Sequence, residues 1–137
     1  MALGAPPLAW FCAATWPVLS PPLTREGISA SLADARFAMS LDTDLLMRLV
    51  DGHRALVTVE QGAKGRFGSI VKHELARRGA FDTGLILRNI CLPGRFIEQA
   101  TPEEMYEDAG MTDADIAARV RDALKPQSRR VVPLRRV

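Results

Sequence analysis

The stretch "VTVEQGAKGRFGSIV", residues 57–71, decides the fold. A compact apolar run ends at Glu60, glycines follow at 62, 65 and 68, and an apolar period of helical type starts at Phe67. A short apolar run of this kind suits a buried parallel strand. The glycines then mark a strand-to-helix loop of the form G-x-x-G-x-x-G, which is neither the P-loop nor the dinucleotide-binding pattern. Two readings stay open. The loop can present free N–H groups to an anion, helped by Lys64 and Arg66, because open α/β sheets often bind ligands at such a strand end. Alternatively Gly62 and Gly65 permit a tight turn and Gly68 lets the helix approach the sheet. The candidate anion or domain-interface loop therefore comprises Glu60, Gln61, Gly62, Lys64, Gly65, Arg66, Gly68 and Ser69. Glu60 itself suits a general base, yet no partner acid, nucleophile or metal cluster can be named beside it.

Working outward, the same alternation recurs. "GISASLAD" predicts a strand over 28–34, with Ile28, Ala30 and Leu32 apolar. Asp42 suits the N-cap of a helix carrying Leu45, Leu46, Leu49 and Val50, with Gly52 as terminator. Residues 55–60 form the next strand. The helix after the glycine loop holds Phe67, Ile70, Val71 and Leu75 and ends near Gly79, with Arg77 and Arg78 favouring the dipole of its last turn. "LILRNIC", 85–91, is a third strand. Thr101, Pro102 and Glu104 announce another helix through a capping box, stopped by Gly110. Thr112 caps a last one, with Ile116, Val120 and Leu124 inward and Pro126 as terminator. Strand, helix, strand, helix, strand, helix predicts an α/β domain, a small mainly parallel sheet flanked by helices.

The ends differ from this core. Residues 1–25 hold five of the nine prolines, both tryptophans and a single charged side chain, Arg25. Prolines interrupt strand ladders and helices alike, so the segment is expected to be an irregular leader. Its apolar run is too short for a membrane span, and no basic region precedes it as in a signal peptide. Residues 26–124 form the expected domain. Residues 125–137 hold five basic residues and no acid, which predicts a flexible, solvated tail. At 137 residues and net charge +2 the chain suits one domain without a strongly charged partner. Cys12 and Cys91 fit no metal or disulfide pattern and suit a reducing compartment. His53 and His73 lack ligand partners at helical spacing and suit surface or cap roles.

Four blocks, "ADARFAMSLDTDLLMRLV", "ALVTVEQGAKGRFGSIV", "LPGRFIEQATPEEMYEDAGM" and "DIAARV", follow one another in an order that resembles the C-terminal domain of 1-deoxy-D-xylulose-5-phosphate synthase, of the transketolase C-terminal type. The resemblance spans about residues 26–124. It implies a small α/β domain of a cytoplasmic, homodimeric enzyme that uses thiamine diphosphate and Mg²⁺. That enzyme joins pyruvate, with loss of CO₂, to glyceraldehyde 3-phosphate, feeding isoprenoid synthesis. It further implies that diphosphate, metal and catalytic glutamate belong to the enzyme's other domains. No residue of this chain then inherits a catalytic, cofactor or metal role, and the chain alone is expected to hold no cofactor.

Three departures from the family pattern matter. Arg66 stands where the family has a second glycine, at a cost of about 1 kcal/mol if the position needs a left-handed backbone. Gly94 replaces an aspartate. The domain's opening strand and helix have no recognisable counterpart in the leader, which predicts a sheet short of one strand and open at an edge. The function expected is a structural, dimer-supporting domain of such a synthase that self-associates or docks on synthase-like domains. The alternative is a free-standing module binding a phosphorylated ligand or a partner protein. A nucleic-acid or membrane role for the tail lacks aromatic interleaving and a basic folded face.

Overall fold

Four parallel strands run in the order β2-β1-β3-β4 in the computed structural model, which describes residues 8–12, 26–37, 39–62 and 64–125. They are β1 (Leu8–Cys12), β2 (Ala30–Asp34), β3 (Ala55–Val59) and β4 (Ile86–Ile90). Between and after them lie α1 (Thr43–Gly52), α2 (Phe67–Arg77), a 3-10 turn (Ala80–Thr83), α3 (Pro102–Ala109) and α4 (Asp113–Leu124). The predicted small parallel sheet flanked by helices is thus the architecture observed.

The correction lies at β1. Residues 8–12 are not irregular: they form an interior strand, pairing with β2 from Leu8↔Ala30 to Cys12↔Asp34 and with β3 from Leu8↔Ala55 to Cys12↔Val59. The leader therefore supplies the strand that the sequence reading expected the sheet to lack. The physical reason is position. The leader's prolines fall at 6, 7, 17, 21 and 22, and "LAWFC" between them is free of proline, so both ladders can form. The rest of the leader, where the family's opening helix was expected to be absent, lies outside the described residues, as do residues 126–137 of the basic tail.

The sheet divides two cores. On one face Ala55, Val57, Val59 and Ile90 pack with Met111, Ile116 and Val120 from the α3–α4 side. On the other, Leu56 packs with Leu46, Leu49 and Val50 of α1 and Phe67, Val71 and Leu75 of α2. Burial on both faces explains why all five residues of β3 are inaccessible and read as an unbroken apolar run.

Most helix signals act as expected. Asp42 accepts the N–H of Leu45 at 2.9 Å. Thr101–Glu104 and Thr112–Asp115 both form complete capping boxes, and Gly79 and Gly110 take left-handed conformations after α2 and α3. Helix α1 ends differently: Gly52 is its last residue and His53 is the cap. The His53 ring joins Leu49 O at 2.7 Å and Ser31 Oγ at 2.8 Å, tying α1 to β2. A bidentate Arg121–Glu26 pair fastens the approach to β2 onto α4.

Candidate functional site

The strand order reverses between β1 and β3, so the crevice where open α/β sheets take ligands lies at the carboxyl ends of these two strands. The glycine loop follows β3 at that end. The segment that follows β1 lies outside the described residues.

Within the loop the decisive group is Glu60, which is only 6% exposed. Its Oε2 accepts the N–H of Phe67 and its Oε1 the N–H of Gly68, each at 2.9 Å. These are the first two amides of α2, the pair that an anion would use at a helix start. The Ser69 and Ile70 amides donate to Arg66 O at 3.0 and 3.2 Å. The positive end of α2 is therefore occupied by the chain's own carboxylate. Glu60 is also tied to β4, since its N–H donates to Ile90 O at 2.9 Å.

Each glycine has its own reason. A Cβ on Gly62 would lie 3.0 Å from Glu60 Oε2 and 3.1 Å from Arg66 Cδ, so a side chain there would crowd the carboxylate. Gly62 O also accepts the N–H of Leu92 at 3.1 Å, linking the loop to the segment after β4. Gly65 carries the positive φ, +93°. A Cβ on Gly68 would come within 2.9 Å of the Asn89 amide and 3.0 Å of Thr58 Oγ1. Thr58 Oγ1 in turn donates to Asn89 Oδ1 at 3.0 Å, a polar bridge between β3 and β4 directly beneath the helix. Arg66 is the N-cap residue with φ −98°, outside the left-handed region. The left-handed backbone considered for arginine is therefore not found there; the left-handed position is Gly65.

The remaining loop residues face outward. Lys64, Arg66 and Ser69 are exposed. Gln61 is exposed too, and its Nε2 donates to the Tyr106 hydroxyl at 2.7 Å. Beside that bond a hollow of about 250 Å³ is lined by Leu92, Ile97, Pro102, Met105 and Tyr106. Sequence reasoning missed Thr58, Asn89 and Tyr106. A signal existed for Asn89: a polar residue in a strand packed against a helix needs a partner.

All four strands being parallel, the loops after β2, β3 and β4 emerge at one end of the domain. That end exposes Phe37 (69%), Met39 (86%) and Phe96 (86%). Phe37 follows a tight bend in which Arg36 takes φ +53° and its N–H donates to Asp34 Oδ1 at 2.8 Å. The glycine loop lies between these apolar side chains in sheet order.

The α2 start does not fit a diphosphate. A diphosphate at the α2 start would meet the Glu60 carboxylate where it needs amides. Among the described residues no three His, Cys, Asp or Glu side chains are placed to hold a metal ion. No helix among them is long and apolar enough to cross a membrane.

A three-layer α/β domain with a self-capped glycine loop and an apolar strand end is thus what the geometry defines. The family model for the transketolase C-terminal domain matches residues 21–116, and the chain belongs to that family. It is 49% identical over 104 residues to the 1-deoxy-D-xylulose-5-phosphate synthase of Rhodobacter capsulatus, a match covering 76% of this chain and 16% of that protein. It is 50% identical over 102 residues to 1-deoxy-D-xylulose-5-phosphate synthase 2 of Jannaschia sp. (strain CCS1), covering 74% of this chain and 16% of the relative. The chain thus matches about a sixth of these relatives' length. Among solved structures, a split gene transketolase described as an inactive beta4 tetramer superposes with TM-score 0.71 at 23% identity, covering 88% of this chain and 40% of that one.

Proposed function

We propose that this chain serves as the C-terminal, docking and dimer-supporting domain of a 1-deoxy-D-xylulose-5-phosphate synthase-like enzyme of the cytoplasm, and that it performs no chemistry alone. The observation that carries this is the strand-carboxyl end. Its amides at the α2 start are satisfied internally by Glu60, while Phe37, Met39 and Phe96 stand exposed around them. An end so built offers apolar area to another protein surface and little to a small anion. The near-50% identity to the synthases of R. capsulatus and Jannaschia supports assigning the partner domains to the same enzyme type. In such an assembly thiamine diphosphate and Mg²⁺ sit on the partner domains, and the glycine loop faces them as an interface. The free-standing phosphate-binding alternative draws no support from the loop.

The test mixes the full chain with a synthase truncated before its own C-terminal domain, with pyruvate, glyceraldehyde 3-phosphate, thiamine diphosphate and Mg²⁺. The chain alone should release no CO₂ above background and should show no heat of cofactor binding. Added to the truncated synthase, it should restore assembly and turnover. Turnover by the pure chain overturns the proposal.

A further inference from the structure

Strand β4 ends the sheet among the described residues, and its outer edge is not featureless. Ile86 N–H donates to Arg54 O at 3.1 Å and Ile90 O accepts from Glu60 N–H at 2.9 Å. By the alternation of a parallel ladder, residues 86, 88 and 90 turn their backbone groups to β3, and Leu87 and Asn89 turn theirs outward. The Arg88 guanidinium covers one of these outward groups, donating to Leu87 O at 2.9 Å.

A hollow of about 610 Å³ follows this edge, lined by Arg54, Lys72, Arg88 and Lys125 and by no acidic side chain. The cations approach from both faces of the sheet. Lys72 belongs to α2, which packs with Leu56 on one face. Arg88 shares the parity of Ile86 and Ile90, which pack on the α4 face, and Lys125 follows α4 itself.

We propose that this edge is a docking track for an acidic, extended segment of a partner polypeptide, which adds to the sheet beside β4. An added strand points alternate side chains to the two faces, so consecutive acidic residues meet Lys72 on one side and Arg88 and Lys125 on the other. Its N–H replaces Arg88 on Leu87 O, and the released guanidinium pairs with an incoming carboxylate. Cations placed on both sides of a backbone edge that no described strand covers suit a strand better than a compact anion, which wants donors converging from one side. This surface is separate from the apolar strand end, so its failure leaves the docking-domain reading untouched.

The experiment uses the full chain and an acetylated peptide of sequence Val-Glu-Glu-Val-Glu-Glu-Val. Hydrogen exchange at the Leu87 and Asn89 amides should slow on its addition, and binding should weaken with salt. The peptide with Lys for Glu should not bind. N-methylation at alternate residues, which removes ladder donors but no charge, should weaken binding at least about tenfold. Lys72→Glu, on an exposed helix position, should weaken it several-fold without unfolding the chain, and Lys72→Glu with Arg88→Glu should abolish it. Unchanged exchange at 87 and 89, or equal binding of the N-methylated peptide, overturns the proposal.

Discussion

The carboxylate of Glu60 accepts the N–H of Gly68 at 2.9 Å through one oxygen and that of Phe67 at 2.9 Å through the other, so the chain closes its own helix start. This relationship converts a candidate anion cradle into a packing junction. It also makes a sharp prediction. Glu60→Ala removes the carboxylate that accepts from two buried amides, at a cost of about 2–3 kcal/mol. Inorganic phosphate should then stabilise Glu60→Ala while leaving the native chain's thermal midpoint unchanged. Comparable stabilisation of the native chain by phosphate contradicts the assignment.

Arg66→Gly, a change toward the family's glycine, is expected to lower stability by about 0.5–1 kcal/mol. Arg66 has φ −98°, so glycine relieves no left-handed strain and adds freedom to the unfolded chain. Chemical denaturation measures this directly. A clear gain in stability would mean that position 66, and not Gly65, carries the left-handed backbone.

The acid limb of stability should depend on Glu74. Hydrogen bonds from Arg77, then from Arg78, hold its carboxyl down from an ordinary 4.5 to about 2. A depressed acid contributes stability that is fully present above its unfolded pKa and is lost as pH falls through the folded one. The window therefore runs from about pH 4.5 down to about 2. Asp108, held low by Arg95, and Glu104 and Asp115, held low by their capping boxes, lose support over the same direction of change. Glu74→Gln should flatten the fall in melting temperature across this window, and high salt should shrink the difference. An identical acid profile for the variant would show that the Glu74 pairs contribute nothing in solution.

Deleting residues 1–12 should abolish cooperative unfolding rather than trim a loose end. The deletion removes β1, the strand that joins β2 to β3, and so cuts the sheet in two. In the intact chain, amides of residues 8–12 should exchange slowly, protected by ladders on both sides. Native-like melting of the deleted chain would contradict the sheet order.

How far the sequence could be read follows from which signals are local. The capping box at Thr101, the cap at Thr112 and the buried run of β3 are local signals, and each predicted its element. Strand β1 was illegible because five residues among prolines carry little periodicity, and their strand state depends on two distant partners. The glycine loop was legible as a strand-to-helix junction, and Gly68 as a close approach. Its occupant was not, because the pairing of Glu60 with amides seven and eight residues on depends on how the loop folds back. The basic edge of β4 draws on Arg54, Lys72, Arg88 and Lys125 from four separate segments, which only the fold brings together.

Light scattering on the purified full chain after size-exclusion chromatography tests the central claim, that the strand-carboxyl end is a docking face. The native chain should run as dimers or larger species. Phe37→Ser, Met39→Ser and Phe96→Ser together should shift it to monomers with an unchanged circular dichroism spectrum, because all three side chains are exposed. A native chain that is monomeric at all concentrations, or a triple variant that associates as before, would contradict the account.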